Sequence, residues 1–193
     1  LLFSLPDCLH SHRTRLVIKE KEISAELHEI DLSNISEEIK FISPYDDFPT
    51  LVDRELVLQN SRVIIEYLDE RFPHPPLLPV DPVQRAKFRL ALDTIEHQWY
   101  PEFEKAYKNG KLDDQFIASI SAYFLEIIPL ITDGFFMSDD FGLVDCSLAP
   151  LLWRIKALGI DISENKKVID DYSDRIFNKE SFQASLTETE KDM

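Results

Sequence analysis

The chain has 193 residues, of which 44% are hydrophobic and 11% aromatic, so it is long enough to bury one large core or two small ones. Acidic side chains outnumber basic ones by 36 to 21, and the resulting charge of −15 argues against a surface that neutralises nucleic-acid phosphates. No apolar stretch approaches the roughly 20 residues of a membrane span, and no secretory leader pattern is present. We therefore expect a soluble globular protein whose partner is a protein or a small ligand, not nucleic acid or a membrane.

The N-terminal part alternates short apolar strands with short helices. In chain order these are a strand at LLFSL, a basic amphipathic helix at SHRTRLVIKEK, a strand at SAELHEI and a short helix at NISEEIKFI that begins near Ser33 or Asn34. PTLV and LVLQ form a hairpin around the turn DRE, and SRVIIEYLDER closes the unit as a helix. The order βαβαββα, without a glycine-rich phosphate loop after the first strand, predicts a thioredoxin-like domain and excludes a doubly wound nucleotide fold.

The C-terminal part has helical periodicity almost throughout. QRAKFRLALDTIEHQWYPEFEKAYKNG predicts a long helix bent by Pro101, and DDQFIASISAYFLEIIPLI predicts a second one. VDCSLAPLLWRIKALG is so apolar that it predicts a central helix. The apolar stripe of the long helix consists of Phe88, Leu92, Ile95, Trp99, Phe103 and Tyr107.

A proline-rich stretch, FPHPPLLPVDP, separates these two parts and contains five prolines in eleven residues. Such a stretch favours polyproline II, which suits either a spacer or a rigid ridge that a partner contacts. The residues alone favour a spacer. We predict a thioredoxin-like domain over 1–72, a linker over 73–82 and an all-helical domain over 83–193.

The cysteines and histidines suggest no metal site. Cys8 and Cys146 lie far apart and predict free thiols in a reducing compartment, here taken as the cytoplasm. His10 and His12 lack a third ligand at local spacing, so no metal or cofactor is predicted and surface or capping roles are expected for the histidines. The others are scattered at His28, His74 and His97.

Three motifs accompany this two-domain pattern: FPTL, LQNSRVIIEYL and GLVDCSLAPLL. Together they resemble the glutathione transferase fold. The resemblance implies a cis-proline at Pro49 that presents the Phe48 backbone to a ligand, and a γ-glutamyl-binding corner at Asn60 and Ser61. It also implies a capping box before the buried helix, in which Gly142 replaces the usual Ser or Thr and leaves only the carboxylate of Asp145.

A narrower resemblance rests on PTLVDREL, SRVIIEYLDERFPHPPLLPV, FFMS, LVDCSLAPLLWR and SFQASLTETEKDM. These stretches are similar to those of the stringent starvation protein A family. The resemblance implies a bacterial cytoplasmic homodimer that binds RNA polymerase, regulates transcription during starvation and stationary-phase stress, and lacks transferase activity. It also implies that the proline-rich stretch contacts the polymerase holoenzyme. The contact residues would be Phe72, Pro73, His74, Pro75, Pro76 and Leu77, with Phe72 and Leu77 as anchors.

An active glutathione transferase or thioltransferase is the alternative. Ser4, Cys8 and Ser11 lie where such enzymes carry the group that stabilises the glutathione thiolate, and CLHS has the C-x-x-S spacing of thiol-transferring members. Leu9, however, stands where those enzymes normally carry proline, and a lone cysteine there is more often a packing residue. We therefore predict no catalytic residue, with Cys8 and Ser11 as the fallback.

Acidic residues beside the expected glutathione site argue in the same direction. Asp46 and Asp47 lie along the path of an anionic tripeptide, and like charges there weaken binding by on the order of 1 kcal/mol, or roughly tenfold in affinity. Asn60 and Ser61 also have a simpler role, because the helix that follows needs an N-terminal cap. The segment SPYDDF is instead a candidate contributor to the dimer interface.

Overall fold

A four-stranded mixed sheet organises the N-terminal part in the computed structural model, which describes residues 1–45, 47–131, 133–162 and 166–193. The strand order is β2-β1-β3-β4. β2 is parallel to β1, whereas β3 is antiparallel to both β1 and β4. The predicted βαβαββα order and thioredoxin-like domain are confirmed. The strands are β1 (Leu2–Ser4), β2 (Leu27–Glu29), β3 (Thr50–Asp53) and β4 (Leu56–Leu58).

The first three helices are α1 (Leu9–Glu20), α2 (Glu37–Ile42) and α3 (Ser61–Arg71). α3 has the predicted bounds, but the prediction that α2 begins near Ser33 or Asn34 is wrong. Asp31 holds that segment in a turn, since its carboxylate accepts from the Ser33 N–H at 2.9 Å and its carbonyl accepts from the Asn34 N–H at 3.0 Å. Ser36 then caps α2 through its hydroxyl oxygen.

The second part is helical: α4 (Pro82–Thr94), a π-helical segment (Ile95–Trp99), α5 (Tyr100–Lys108), α6 (Asp114–Ile127), a 3₁₀ turn (Ile128–Leu130), α7 (Leu143–Ala157) and α8 (Lys166–Phe177). The predicted long helix is α4 and α5 joined by the π-helical segment. Pro101 lacks the N–H of a regular helical turn, so the helix widens just before it. The predicted stripe is buried from Phe88 to Phe103, whereas Tyr107 at its end is 36% exposed.

α7 is the central helix, as predicted, and it is buried on almost every face. The Asp145 carboxylate accepts from the Gly142 N–H at 2.8 Å, so the carboxylate half of the capping box is present. A Cβ on Gly142 would lie 2.9 Å from the carbonyl oxygen of Leu77, which itself accepts from the Leu143 N–H at 2.9 Å. This close approach explains why glycine replaces the usual Ser or Thr.

The chain divides into two compact units that differ from the predicted domains. The first comprises Leu1–Pro76 together with Glu180–Met193, and the second comprises Leu77–Lys179. The boundary therefore falls inside the predicted 73–82 linker, and the end of the predicted 83–193 domain packs with the first unit. That returning segment forms α9 (Glu180–Ser185) and α10 (Glu188–Lys191). None of the helices that the structure describes has the length and apolarity needed to cross a membrane.

The returning segment buries polar residues of α1 and corrects two predictions about that helix. α1 is not a basic amphipathic helix with a solvated face, because His12 and Arg15 are buried. Arg15 donates to the Glu190 carboxylate at 2.6 Å and to the Ser185 carbonyl at 2.9 Å. His12 Nδ1 lies 3.3 Å from the same carboxylate. His12 therefore has a buried polar role and not the expected surface or capping role.

Candidate functional site

The cis-proline corner predicted from FPTL is present. The Phe48–Pro49 peptide bond is cis, and both residues are buried immediately before β3. The Asp47 carbonyl accepts from the Thr50 hydroxyl at 2.7 Å, and the Asp47 N–H donates to the Ser43 hydroxyl oxygen at 3.0 Å. The Asp47 side chain is exposed, whereas Asp46 lies outside the described residues. That the two acidic residues weaken glutathione binding stays a prediction.

Asn60 and Ser61 begin α3, where their roles differ. The Asn60 side-chain oxygen accepts from the backbone N–H groups of Arg62 and Val63 at 2.9 and 3.1 Å, so the predicted cap is confirmed. Ser61 is buried, and its hydroxyl oxygen accepts from Arg13 Nη2 at 2.5 Å. The side-chain oxygen of Asn60 is used by its own helix.

α1 supplies the groups that surround Ser61. His10 Nδ1 lies 3.0 Å from Ser61 Oγ and 3.4 Å from Arg13 Nη2. These contacts fit a Ser61 hydroxyl that accepts from Arg13 and donates to His10, with the imidazole proton on Nε2. A ligand carboxylate that needed the Ser61 hydroxyl would have to displace His10. The sequence did not indicate this cluster, since Arg13 lies 48 residues from Ser61.

The three thiolate-stabilising candidates have different environments. Ser4 and Ser11 are buried, and their hydroxyl oxygens accept from Arg15 Nη1 at 2.5 Å and from the Leu5 N–H at 3.1 Å, respectively. Cys8 is the N-cap residue of α1 and is partly exposed, with a free thiol. Cys8 is therefore the more accessible of the two fallback nucleophiles. Ser11 instead has a structural role, because its hydroxyl oxygen binds the backbone of Leu5, the residue that follows β1.

The proline-rich stretch is exposed over Phe72–Pro76, a segment that we call the proline ridge. Phe72 is 37% exposed, and the Arg71 guanidinium lies 5.6 Å from the centre of its ring. The His74–Pro75 peptide bond is cis. Leu77, by contrast, is only 2% exposed, so its proposed role as a surface anchor is wrong. Its side chain is apolar and packs inside, and its carbonyl oxygen is used by α7.

A buried lysine contacts the backbone of the proline ridge from the protein interior. Lys21, at the C-terminal end of α1, donates to the carbonyl oxygen of Pro75 at 2.6 Å and to the Asp69 carboxylate at 2.7 Å. The Lys21 side chain is fully buried and that of Asp69 nearly so. Sequence reasoning missed this contact, because a lysine at the end of a helix is usually solvated.

In the described ranges, no group of three or more His, Cys, Asp or Glu side chains is arranged to hold a metal ion. His28 and His97 are exposed and paired with Glu26 and Asp93, at 2.8 and 3.1 Å. The polar groups near the start of α1 that could contact a ligand are the Ser61 hydroxyl, the His10 imidazole, the Arg13 guanidinium and the Cys8 thiol.

Comparison with known proteins identifies the family. Residues 2–76 match the family described as "Glutathione S-transferase, N-terminal domain". The stringent starvation protein A homolog of Pasteurella multocida is 46% identical, over 96% of this chain and 89% of that protein. The homolog of Coxiella burnetii is 43% identical, over 100% of this chain and 93% of that protein. The chain belongs to the stringent starvation protein A family.

A solved structure confirms the fold of this chain. A delta-class glutathione transferase of Nilaparvata lugens superposes with a TM-score of 0.87 at 22% identity, covering 99% of this chain and 94% of that one. At that identity the likeness establishes the fold alone. The predicted architecture, a thioredoxin-like α+β domain followed by an all-helical domain, is therefore confirmed.

Proposed function

We propose that this protein is a transcription regulator that binds RNA polymerase holoenzyme by protein contact during starvation and stationary-phase stress. Membership of the stringent starvation protein A family supports the proposal. The observation that carries it is the exposure of five consecutive residues, Phe72–Pro76, which match the stretch that the family resemblance assigns to polymerase contact.

The chemistry of the proline ridge suits recognition by a protein. Pro73, Pro75 and Pro76 have restricted backbone angles, so the segment loses little conformational entropy when it binds. Phe72 offers a partly exposed aromatic ring and His74 an exposed imidazole.

We further propose a cytoplasmic homodimer that carries two proline ridges and has no catalytic residue. The predicted interface segment SPYDDF includes Tyr45, whose side chain is 86% exposed. An aromatic side chain with that exposure is well suited to a protein interface. Two-fold symmetry would give the polymerase two equivalent ridges.

A glutathione-dependent enzyme is the second candidate, and the position of Cys8 favours it. Its thiol is free and partly exposed at the N-terminus of α1, where a substrate could reach it. Two observations weigh against glutathione binding. The Ser61 hydroxyl already contacts Arg13 and His10, and the exposed Asp47 carboxylate lies beside the cis-proline corner.

Calorimetric titration with glutathione and then with RNA polymerase holoenzyme separates the two candidates. We expect heat with polymerase and none with millimolar glutathione. The variant His74→Ala/Pro75→Ala/Pro76→Ala should fold and dimerise normally but bind polymerase at least about tenfold more weakly. The matched control is His97→Ala/Pro129→Ala, which removes an exposed histidine and an exposed proline of the second unit.

Two results would overturn the proposal. Unchanged polymerase affinity of the ridge variant would exclude the proline ridge as the contact. Glutathione binding without polymerase binding would favour the enzyme, and Cys8→Ser would then be the variant to assay.

A further inference from the structure

The proline ridge has few means of fixing its own conformation. Pro73, Pro75 and Pro76 have no N–H to donate, so beyond Phe72, whose N–H donates to the Leu68 carbonyl at 3.0 Å, the segment has only the His74 N–H, its carbonyl groups and its side chains with which to be held. Among the residues that the structure describes, the one hydrogen bond made by Pro73–Pro76 is that from Lys21 to the carbonyl oxygen of Pro75. The ammonium group of Lys21 therefore fixes the part of the ridge that follows Phe72.

Lys21 is itself held on two sides. Its backbone N–H donates to the Val17 carbonyl at 3.0 Å, which continues the hydrogen-bond pattern of α1. Its ammonium group binds the carboxylate of Asp69, in the last turn of α3. One buried side chain thus joins the end of α1, the end of α3 and the proline ridge.

Stability alone does not explain a charged residue at this position. A buried ion pair must overcome the loss of hydration of both charges, and apolar side chains of similar volume often stabilise a fold as well or better. An apolar side chain, however, cannot bind a carbonyl oxygen. Unlike an apolar side chain, Lys21 can hold the carbonyl group of Pro75 in a fixed position.

We propose that Lys21, oriented by Asp69, is a positioning residue that holds the proline ridge in the conformation bound by its protein partner. This inference rests on the proposed polymerase contact and names the internal device on which that contact depends. Lys21 is buried, so it acts through the position of His74 and its neighbouring prolines and does not touch the partner.

Loss of the Lys21 hydrogen bond has a definite physical consequence. Pro76 restricts the ψ angle of Pro75 to extended values, so without the anchor the backbone freedom of the ridge lies in the ψ angles of Pro73 and Pro76 and the φ angle of His74. The ridge would then populate several conformations, of which only a fraction binds. The apparent dissociation constant rises by the inverse of that fraction.

The test replaces both charges at once, because a single replacement would leave a buried charge without its partner. Lys21→Met/Asp69→Asn keeps the side-chain volumes and removes the bond to Pro75. We expect polymerase affinity to fall roughly tenfold, as for a binding conformation populated about 10% of the time, with the melting temperature and the dimer unchanged. The matched control is Lys156→Met/Asp174→Asn, which removes an exposed Lys–Asp pair with a 2.9 Å contact and should bind like the wild type.

A double-mutant cycle distinguishes positioning from general destabilisation. When the ridge is already His74→Ala/Pro75→Ala/Pro76→Ala, adding Lys21→Met/Asp69→Asn should cause no further loss of affinity. In the free protein, the His74 imidazole proton signals should shift or broaden in Lys21→Met/Asp69→Asn and not in the control.

Each outcome has one meaning. Additive losses, or wild-type affinity of Lys21→Met/Asp69→Asn while the ridge variant binds weakly, would overturn the positioning role and leave the polymerase contact intact. Wild-type affinity of the ridge variant would overturn both. Should Lys21→Met/Asp69→Asn fail to fold, Lys21→Gln/Asp69→Asn is judged by the same criteria, since the Gln amide is one bond shorter than the Lys ammonium group and lies farther from Pro75.

Discussion

Asp145 is a carboxylate whose ionisation the fold opposes, so replacing it with asparagine should change how stability depends on pH. Burial raises its pKa from 3.8 to about 6. The Tyr172 hydroxyl and the N–H groups of Phe136 and Gly142 donate to the carboxylate at 2.6, 2.9 and 2.8 Å, and these hydrogen bonds lower the pKa less than burial raises it. The folded state therefore binds the proton more tightly than the unfolded chain does.

The sign and size follow from proton linkage. Between pH 3.8 and about 6 the folded Asp145 holds more protons than the unfolded one, so its contribution to stability falls as the pH rises through this interval. At about 1.4 kcal/mol per pH unit, the interval corresponds to roughly 3 kcal/mol. Other carboxylates also titrate there, so the quantity to measure is the difference between the wild type and Asp145→Asn.

Urea unfolding measured from about pH 4 to about pH 7.5 tests this difference. Trp99 and Trp153 both lie in the second unit with Asp145, so tryptophan fluorescence reports its unfolding. We expect the wild type to lose roughly 2–3 kcal/mol relative to Asp145→Asn across that range. Asp140→Asn, at an exposed position of the same unit, controls for the loss of one carboxylate.

A pH-independent difference would refute this reasoning. A difference that favours the wild type increasingly as the pH rises would refute it more strongly. The first result would mean that the hydrogen bonds from Tyr172, Phe136 and Gly142 offset the cost of burying the charge, and the second that they outweigh it. A direct titration of the Asp145 side-chain carbon signal would then show a pKa at or below its ordinary value.

Three further substitutions test other parts of the fold by thermal or urea unfolding. Gly142→Ala places a Cβ 2.9 Å from the Leu77 carbonyl oxygen and should cost about 1–3 kcal/mol; an unchanged stability would mean that this contact relaxes freely. Arg15→Leu leaves the buried Glu190 carboxylate without its guanidinium and should cost about 3–5 kcal/mol, much of it recovered when Glu190→Leu is added. Asn60→Ala should cost about 1 kcal/mol by removing a helix cap, whereas Asn60→Asp should not.

Local patterns predicted the elements because their causes are local. The apolar stripe of α4 and α5 follows from spacings of three and four residues, and the stripe is buried from Phe88 to Phe103. α3 has its predicted bounds because Asn60 caps its start and Pro73 follows its end. The resemblance predicted the cis peptide bond at Pro49, which no periodicity could have indicated.

Contacts between distant parts of the chain were not predictable in this way. Arg15 and Glu190 are 175 residues apart, and Lys21 and Pro75 are 54 apart. Charged residues on a helix ordinarily indicate a solvated face, so the pattern of α1 favoured exposure. The return of Glu180–Met193 to the first unit supplies the Glu190 carboxylate that pairs with the buried Arg15, whereas Lys21 is paired within Leu1–Pro76. Nothing in the local sequence of α1 specifies either arrangement.

The hydrogen bonds of the first unit bear on which of its two candidate sites is functional. At the glutathione corner, the Asn60 side-chain oxygen caps α3 and the Ser61 hydroxyl contacts Arg13 and His10, so a ligand that binds the Ser61 hydroxyl must compete with internal partners. At the proline ridge the side chains face outward, and the backbone is fixed from the buried side by Lys21. A segment that is both exposed and already ordered binds a partner at low entropic cost. This contrast favours protein recognition over glutathione chemistry.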